Sequence, residues 1–148
     1  IVSLPCPVTE FNNFGFEIPD YYTVDYIPAG QTYYCRYEKD DKEFSVYVKN
    51  FSDYATTFDN CYVISVSYDS EYQGELAIET SGGIKTGMTE DELVAALGEI
   101  EYSLYESTDY NYYSLYEDVW EYSNRRYYTT FDGIVTSIEV SCDKSPVE

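Results

Sequence analysis

The sequence predicts an α+β protein made of two tandem modules, each a short helical segment packed on an antiparallel sheet of about three to four strands. Three observations carry that prediction. Residues 82–101, GGIKTGMTEDELVAALGEIE, spell one helix with both ends marked; tyrosine-rich segments on either side alternate polar and apolar residues; and similar signals recur in the two halves of the chain. The double glycine divides them, giving one module over residues 1–80 and a second over 81–148.

The first module opens on a weak helix. Thr9 to Gly15 offers a cap, two phenylalanines one turn apart and a terminating glycine, although Asn12 and Asn13 are poor helix formers. Strands are expected at Thr32 to Tyr37, at Glu43 to Phe51 with Phe44, Val46 and Val48 on one face, and at Cys61 to Tyr68 with Tyr62, Ile64 and Val66 on one face. Asp40-Asp41 is the turn between the first two. Glu75 to Thr80 reads as a further strand, running into a hinge at Ser81, Gly82 and Gly83.

The second module opens on the stronger helix. Thr89 is the N-cap, Glu92 completes a capping box, and Met88 faces Leu93 as a hydrophobic staple. Leu93, Val94, Ala96 and Leu97 form an apolar stripe, Glu90, Asp91 and Glu92 suit the positive end of the dipole, and Gly98 ends the helix. Asp118 to Tyr122 then reads as a strand with Trp120 and Tyr122 on one face, Arg126 to Phe131 as the next, and Asp132-Gly133 as a two-residue hairpin turn. In the last strand, Ile134 to Ser141, Ile134, Ile138 and Val140 point one way while Ser137, Glu139 and Ser141 point the other. Matching Ile64-Ser65-Val66-Ser67 to Ile138-Glu139-Val140-Ser141 gives an offset of 74 (138 − 64), and matching Gly15 to Gly98 gives 83 (98 − 15). The two offsets agree to within one loop insertion; coincidence among short strands is the competing explanation.

Of the 148 residues, 28 are acidic and 8 basic, for a formal charge of −20, and the basic ones are scattered apart from Arg125-Arg126. A phosphate backbone or an anionic lipid surface would be repelled, so nucleic acid is not an expected partner. With 44% hydrophobic residues and 20 Tyr the chain has the means to build a core and is no disordered acidic tail. No apolar run approaches the roughly 20 residues that span a bilayer. Low lysine, abundant Tyr, Ser and Thr, and four cysteines point to export. The expected location is extracellular or at a cell surface, with a signal peptide or lipid anchor removed from the chain; that the cell is bacterial is what the resemblance given below implies.

Cys6, Cys35, Cys61 and Cys142 have no C-x-x-C spacing, and no histidine is present to complete a zinc site. Two disulfides are the economical reading, with three pairings open; buried free thiols in a cytosolic protein are the alternative. The absence of histidine also removes the usual general base and every Ser-His-Asp or Cys-His arrangement, and no nucleophile-elbow or phosphate-loop motif occurs. No enzyme, catalytic residue, cofactor or metal is expected. Carboxylate pairs capable of glycoside cleavage are uninformative in so acidic a chain. Asp69 to Gly74 imitates half of a calcium loop, but Thr80 stands where a bidentate Glu is wanted, so a turn is expected and weak calcium binding is the alternative. The sequon Asn50-Phe51-Ser52 is of a kind that arises by chance.

The tyrosines divide into two groups. Tyr62, on a strand face, reads as core. Tyr102, Tyr105, Tyr110, Tyr112 and Tyr113 lie in a polar stretch without period, amid Ser, Asn and Asp, a composition typical of binding surfaces; packing under their own loop is the alternative.

Gly83-Ile84-Lys85-Thr86-Gly87-Met88-Thr89-Glu90-Asp91-Glu92-Leu93, Leu97-Gly98 and the aromatic strands closed by Phe131-Asp132-Gly133 and Val135 resemble the module of the beta-lactamase inhibitor proteins and of the SmpA/OmlA outer-membrane lipoproteins. Leu4-Pro5-Cys6-Pro7 with Glu10-Phe11, and Cys61-Tyr62, resemble secreted or lipid-anchored domains of Gram-positive bacteria. The first half lacks the Gly-Met-Thr entry, and the family's inhibitory loops have no residue-by-residue counterpart here. The resemblance implies a non-catalytic, exported, protein-binding or envelope-associated domain, with Cys6 paired to Cys61 and Cys35 to Cys142. A glycan-binding module that stacks sugars on the same tyrosines, and a purely structural envelope domain, are the alternatives.

Overall fold

A computed structural model describes residues 1–119 and 121–146. Eight strands form one antiparallel sheet: β1 (Cys6–Pro7), β2 (Thr32–Lys39), β3 (Lys42–Lys49), β4 (Tyr62–Asp69), β5 (Ser103–Glu106), β6 (Tyr110–Val119), β7 (Tyr122–Phe131) and β8 (Ile134–Cys142). Their order is β2-β3-β4-β8-β7-β6-β5, with β1 paired to β4 beside the end of β8. The helix α1 (Glu90–Leu97) is the one α-helix among the described residues.

This corrects the expected α+β fold of two modules. The chain is mainly β, and residues 1–80 and 81–148 contribute to one continuous sheet through the β4·β8 ladder instead of folding as two helix-on-sheet units. In the first half, Glu10–Phe14 forms only a single 3-10 turn, closed by Gly15 at φ 85°. The cover there is largely irregular: Phe11, Phe16, Ile18, Tyr22 and Val24 pack over Tyr37, Phe44 and Val46. Asn12 and Asn13 explain the loss of an α-helix, because aromatic packing needs no helical propensity. Of the strand expected over Glu75 to Thr80 only Glu79–Thr80 forms, paired with Ile84–Lys85.

All of this cover lies on the same face of the sheet. On that face β2 presents Cys35 and Tyr37, β3 Phe44, Val46 and Val48, β4 Val66 and Tyr68, β8 Ile138 and Val140, β7 Tyr128, and β6 Tyr113 and Leu115. Leu93 and Leu97 of α1 close the second half, and Val140 touches the packing of both halves. Val94, expected in the stripe, faces outward.

Two β-bulges reassign faces. In the β3·β4 ladder Tyr47 faces Ser65 and Val48 faces Val63, so Ile64 is the extra residue. Val63 is therefore buried and Tyr62 is not core; it lies edge-on to Phe51. In the β7·β8 ladder Thr129 faces Ser137 and Thr130 faces Val135, so Thr136 is extra and Val135 replaces Ile134 in the core. The strand expected over Asp118 to Tyr122 is instead the end of β6 and the start of β7; Trp120 lies outside the described residues. The stretch 102–113 is not a loop but the β5–β6 hairpin.

α1 starts as its capping box requires: Thr89 Oγ1 accepts from the Glu92 N–H at 3.2 Å and Glu92 accepts from the Thr89 N–H at 3.4 Å. Glu90 then ties the helix to the sheet. Its carboxylate accepts from Tyr113 Oη (2.6 Å), Asn111 Nδ2 (2.7 Å) and Thr130 Oγ1 (3.2 Å). Partial burial pushes the Glu90 pKa up, but the bonds from Tyr113, Asn111 and Thr130 outweigh it and leave it lowered.

The cysteines are buried and unbonded to one another. Cys6 faces Val63, and the Val8 N–H donates to the Cys61 carbonyl at 3.3 Å, so Cys6 and Cys61 share one short ladder two residues out of direct register. Cys35 and Cys142 lie on β2 and β8 with β3 and β4 between them. Three strand spacings separate those strands, about 14 Å, roughly twice the Cα reach of a disulfide, so the Cys35–Cys142 pairing does not fit this sheet.

Two outcomes are expected. Tyr113→Phe removes one hydroxyl bond to a carboxylate and lowers unfolding free energy by about 2 kcal/mol in urea titration at neutral pH. Because the folded pKa of Glu90 lies below its unfolded value, this contribution is complete above the ordinary carboxylate range and fades as pH falls through it, so wild type and variant converge in acid. After mild oxidation, a non-reducing digest contains no Cys35–Cys142 peptide; recovery of that peptide would refute the strand order.

Candidate functional site

The sheet's opposite face carries no α-helix among the described residues, and connecting segments reach it at the β2–β3 side, where Gln73 Nε2 donates to Ser45 Oγ at 3.0 Å and the Tyr22 ring lies 6.4 Å from Tyr34. It is set by the residues alternate to the core. β2 and β3 place Tyr34, Arg36, Ser45 and Tyr47 there, β4 adds Ser65 and Ser67, β8 adds Ser137, Glu139 and Ser141, and β7 and β6 add Arg125, Tyr127, Tyr112 and Tyr116. The sequence writes this face as small hydroxyl residues in the central strands with large rings toward both sides. Serines form the floor and tyrosines the walls; Ser65 and Ser114 are buried beneath their neighbours.

Tyr112 and Tyr127 stack at 5.6 Å between centroids with an 11° interplanar angle, Tyr116 meets Tyr127 edge-on at 5.8 Å, and the Arg125 guanidinium lies 5.2 Å over the Tyr116 ring. On the far side Tyr34 meets Tyr47 edge-on at 5.6 Å, and Arg36 pairs with Glu43 at 3.0 Å. The ring order leaves these tyrosines few rotamers to lose on contact with a partner.

Glu139 sits in the centre, between Tyr127 on β7 and Ser67 on β4. It is half-buried, and among the described residues no side chain hydrogen-bonds or ion-pairs with it. Burial therefore pushes its carboxyl pKa up. Burial, and then the charge of Glu139, push the Tyr112 hydroxyl up to about 12.

The expected tyrosine surface divides across the sheet. Tyr105, Tyr110 and Tyr112 fall on the open side, Tyr105 directly opposite Tyr112. Tyr113 is buried on the covered side as the Glu90 partner, and the Tyr102 ring packs on it at 5.2 Å. The sequence reading missed Tyr34, Tyr47, Tyr116, Tyr127 and Glu139. The alternation of Ser137, Glu139 and Ser141 was the available signal for the last of these.

Other candidates resolve into structure. The Asp69–Gly74 segment is a turn in which Asp69 Oδ1 accepts from the Glu71 N–H and Gln73 Oε1 accepts from the Asp69 N–H. Gly74, at φ 79°, packs so closely that a Cβ would stand 2.7 Å from the Asp41 carbonyl. Asn50 of the sequon is buried, its Nδ2 donating to the carbonyls of Ile27 and Tyr54. The described residues contain no cluster of three or more Cys, Asp or Glu able to hold a metal ion.

An unpaired, half-buried carboxylate costs stability. Glu139→Gln is expected to raise the melting temperature at pH 7. Since the folded pKa is raised, protonation stabilises the wild type as pH falls through that pKa, and the gap closes in mild acid. A variant that melts lower at neutral pH would mean that Glu139 has a partner inside the fold.

No protein family, curated protein or solved structure matches this chain, so the functional reading rests on the chemistry of this face.

Proposed function

We propose that the protein is a non-catalytic exported domain that binds another protein on the open face of its sheet, with Glu139 receiving a lysine or arginine of that partner. The observation that carries the reading is the unpaired carboxylate at the middle of an uncovered field of tyrosine, serine and arginine. Tyr and Arg are the residues that dominate binding energy at protein interfaces, and stacked rings offer area at small entropic cost. A cation placed over Glu139 would recover the desolvation already incurred there, and the net charge of −20 would speed its approach. The bacterial cell surface is the proposed location. Its support is the cysteine content, the charge and the resemblance of the helix entry to envelope modules; there, Cys6 and Cys61 are the proposed pair, brought within reach by a shift of β1 along β4.

The test is capture from bacterial envelope extract, identification of the captured protein, and calorimetry on the purified pair. Tyr127→Ala and Glu139→Gln are each expected to weaken binding by about tenfold or more, with Glu139→Gln as stable as the wild type or more so. Unchanged affinity in both variants would exclude this face. A glycan-array signal abolished by Tyr34→Ala or Tyr47→Ala would replace the protein partner with a carbohydrate. Silence in both assays would leave a structural envelope domain.

A further inference from the structure

The two edges of the sheet differ. At the β2 edge, Glu17 and Glu38 exchange backbone hydrogen bonds at 3.0 and 2.8 Å, so incoming chain already occupies part of that edge. At the other edge, β5 pairs with β6 only from Asn111 to Ser114. Beyond Ser114, β6 continues to Val119 with β7 on one side and no strand on the other among the described residues. In an antiparallel strand every second residue then directs its N–H and C=O outward, and these groups are paired with no other backbone among the described residues.

The chain from Gly98 to Tyr102 runs beside that stretch without pairing to it, leaving an open notch of about 620 Å3 that ends at the Ser103–Ser114 pair and has Tyr116 on its other wall. The notch has the place of a missing strand in line with β5. Ile100 and Tyr116 are exposed at its sides, 47% and 53%. Glu99 and Glu101 also line it, and Glu117 follows on β6. From Thr86 to Asn124 the chain contains no lysine or arginine.

We propose that this notch is a strand-addition site for a short, extended, positively charged segment of another protein, which pairs with β6 from Leu115 to Val119. Backbone pairing supplies the binding, the side chains of Ile100 and Tyr116 take alternate apolar residues, and the glutamates select lysine or arginine between them. A second copy is the wrong occupant, because edge-to-edge pairing would set these same glutamates against their counterparts. The site lies on the sheet's rim and meets the open face at Tyr116, which also packs on Tyr127.

The probe is the capped hexapeptide Lys-Val-Lys-Val-Lys-Val, titrated into the isotope-labelled full chain and followed by amide shifts. Two further versions carry N-methyl groups on alternate residues, one version for each edge of the peptide, at unchanged charge. Shifts centred on Ile100, Ser103 and Leu115 to Glu117 are expected. One N-methylated version should bind about tenfold more weakly than the parent and the other nearly as well. Equal binding of all three peptides would reduce the interaction to charge and overturn the proposal. So would shifts confined to Tyr127 and Glu139, or no binding at millimolar peptide. The same amides shifting with protein concentration alone would assign the notch to a second copy and equally overturn it. Loss of partner binding in Glu139→Gln with the peptide response intact would separate failure of this site from failure of the face.

Discussion

The fold depends on a cover that is mostly not helix or strand, held down by hydroxyl groups at the ends of buried rings. Tyr37, Tyr68 and Tyr128 are all but fully buried on the covered face, and each reaches out of the sheet to the covering chain, Tyr37 and Tyr68 to irregular backbone and Tyr128 to the short strand Glu79–Thr80. Tyr37 donates to the Val8 carbonyl, Tyr68 donates to the Gly74 carbonyl and accepts from the Leu76 N–H, and Tyr128 bonds Thr80 Oγ1 at 2.5 Å. A buried hydroxyl without a partner costs about 1–3 kcal/mol, so each segment is fixed where its tyrosine can be satisfied. Tyr113 does the same for α1 through Glu90. One α-helix suffices among the described residues because these rings anchor covering segments that have little regular structure of their own.

That constraint explains which parts of the structure were legible. The capping box at Thr89 and Glu92, the two-residue turns at Asp40-Asp41 and Asp132-Gly133, and the alternation in β3 are settled by neighbours within a few residues, and each forms as its local chemistry directs. The bulges at Ile64 and Thr136 are settled by register across strands, and a single extra residue exchanges the two faces. Val63 for Tyr62 and Val135 for Ile134 are the results. The two-module expectation failed for a related reason. A sheet needs burial on one face, and the reading supplied it with a helix in each half, whereas Phe11, Phe16 and Tyr22 supply it in the first half without one.

The candidate face was illegible for the opposite reason. Ser65, Ser67, Ser137 and Ser141 are unremarkable one at a time; they become a floor only when β4 and β8 pair through Ser65↔Ser141 and Ser67↔Glu139. Tyr112 and Tyr113 are adjacent in sequence and identical in type, yet one is a wall of the open face and the other a core residue bonded to Glu90. Period-2 alternation assigns them to opposite faces, but it cannot say which face is covered until the helix position is known.

Charge joins the two surfaces that the cover leaves free. A half-buried carboxylate on an open face and unpaired backbone on a strand edge are both liabilities, the first for stability and the second for edge-to-edge association. A net charge of −20 restrains the second, since any copy approaching the notch brings its own glutamates with it. The same charge does nothing to relieve the first, because Glu139 gains no cation from a surface that has so few to offer. The repulsion that discourages self-pairing thus becomes attraction for any basic chain, and the two uncompensated features of this sheet call for the same kind of partner.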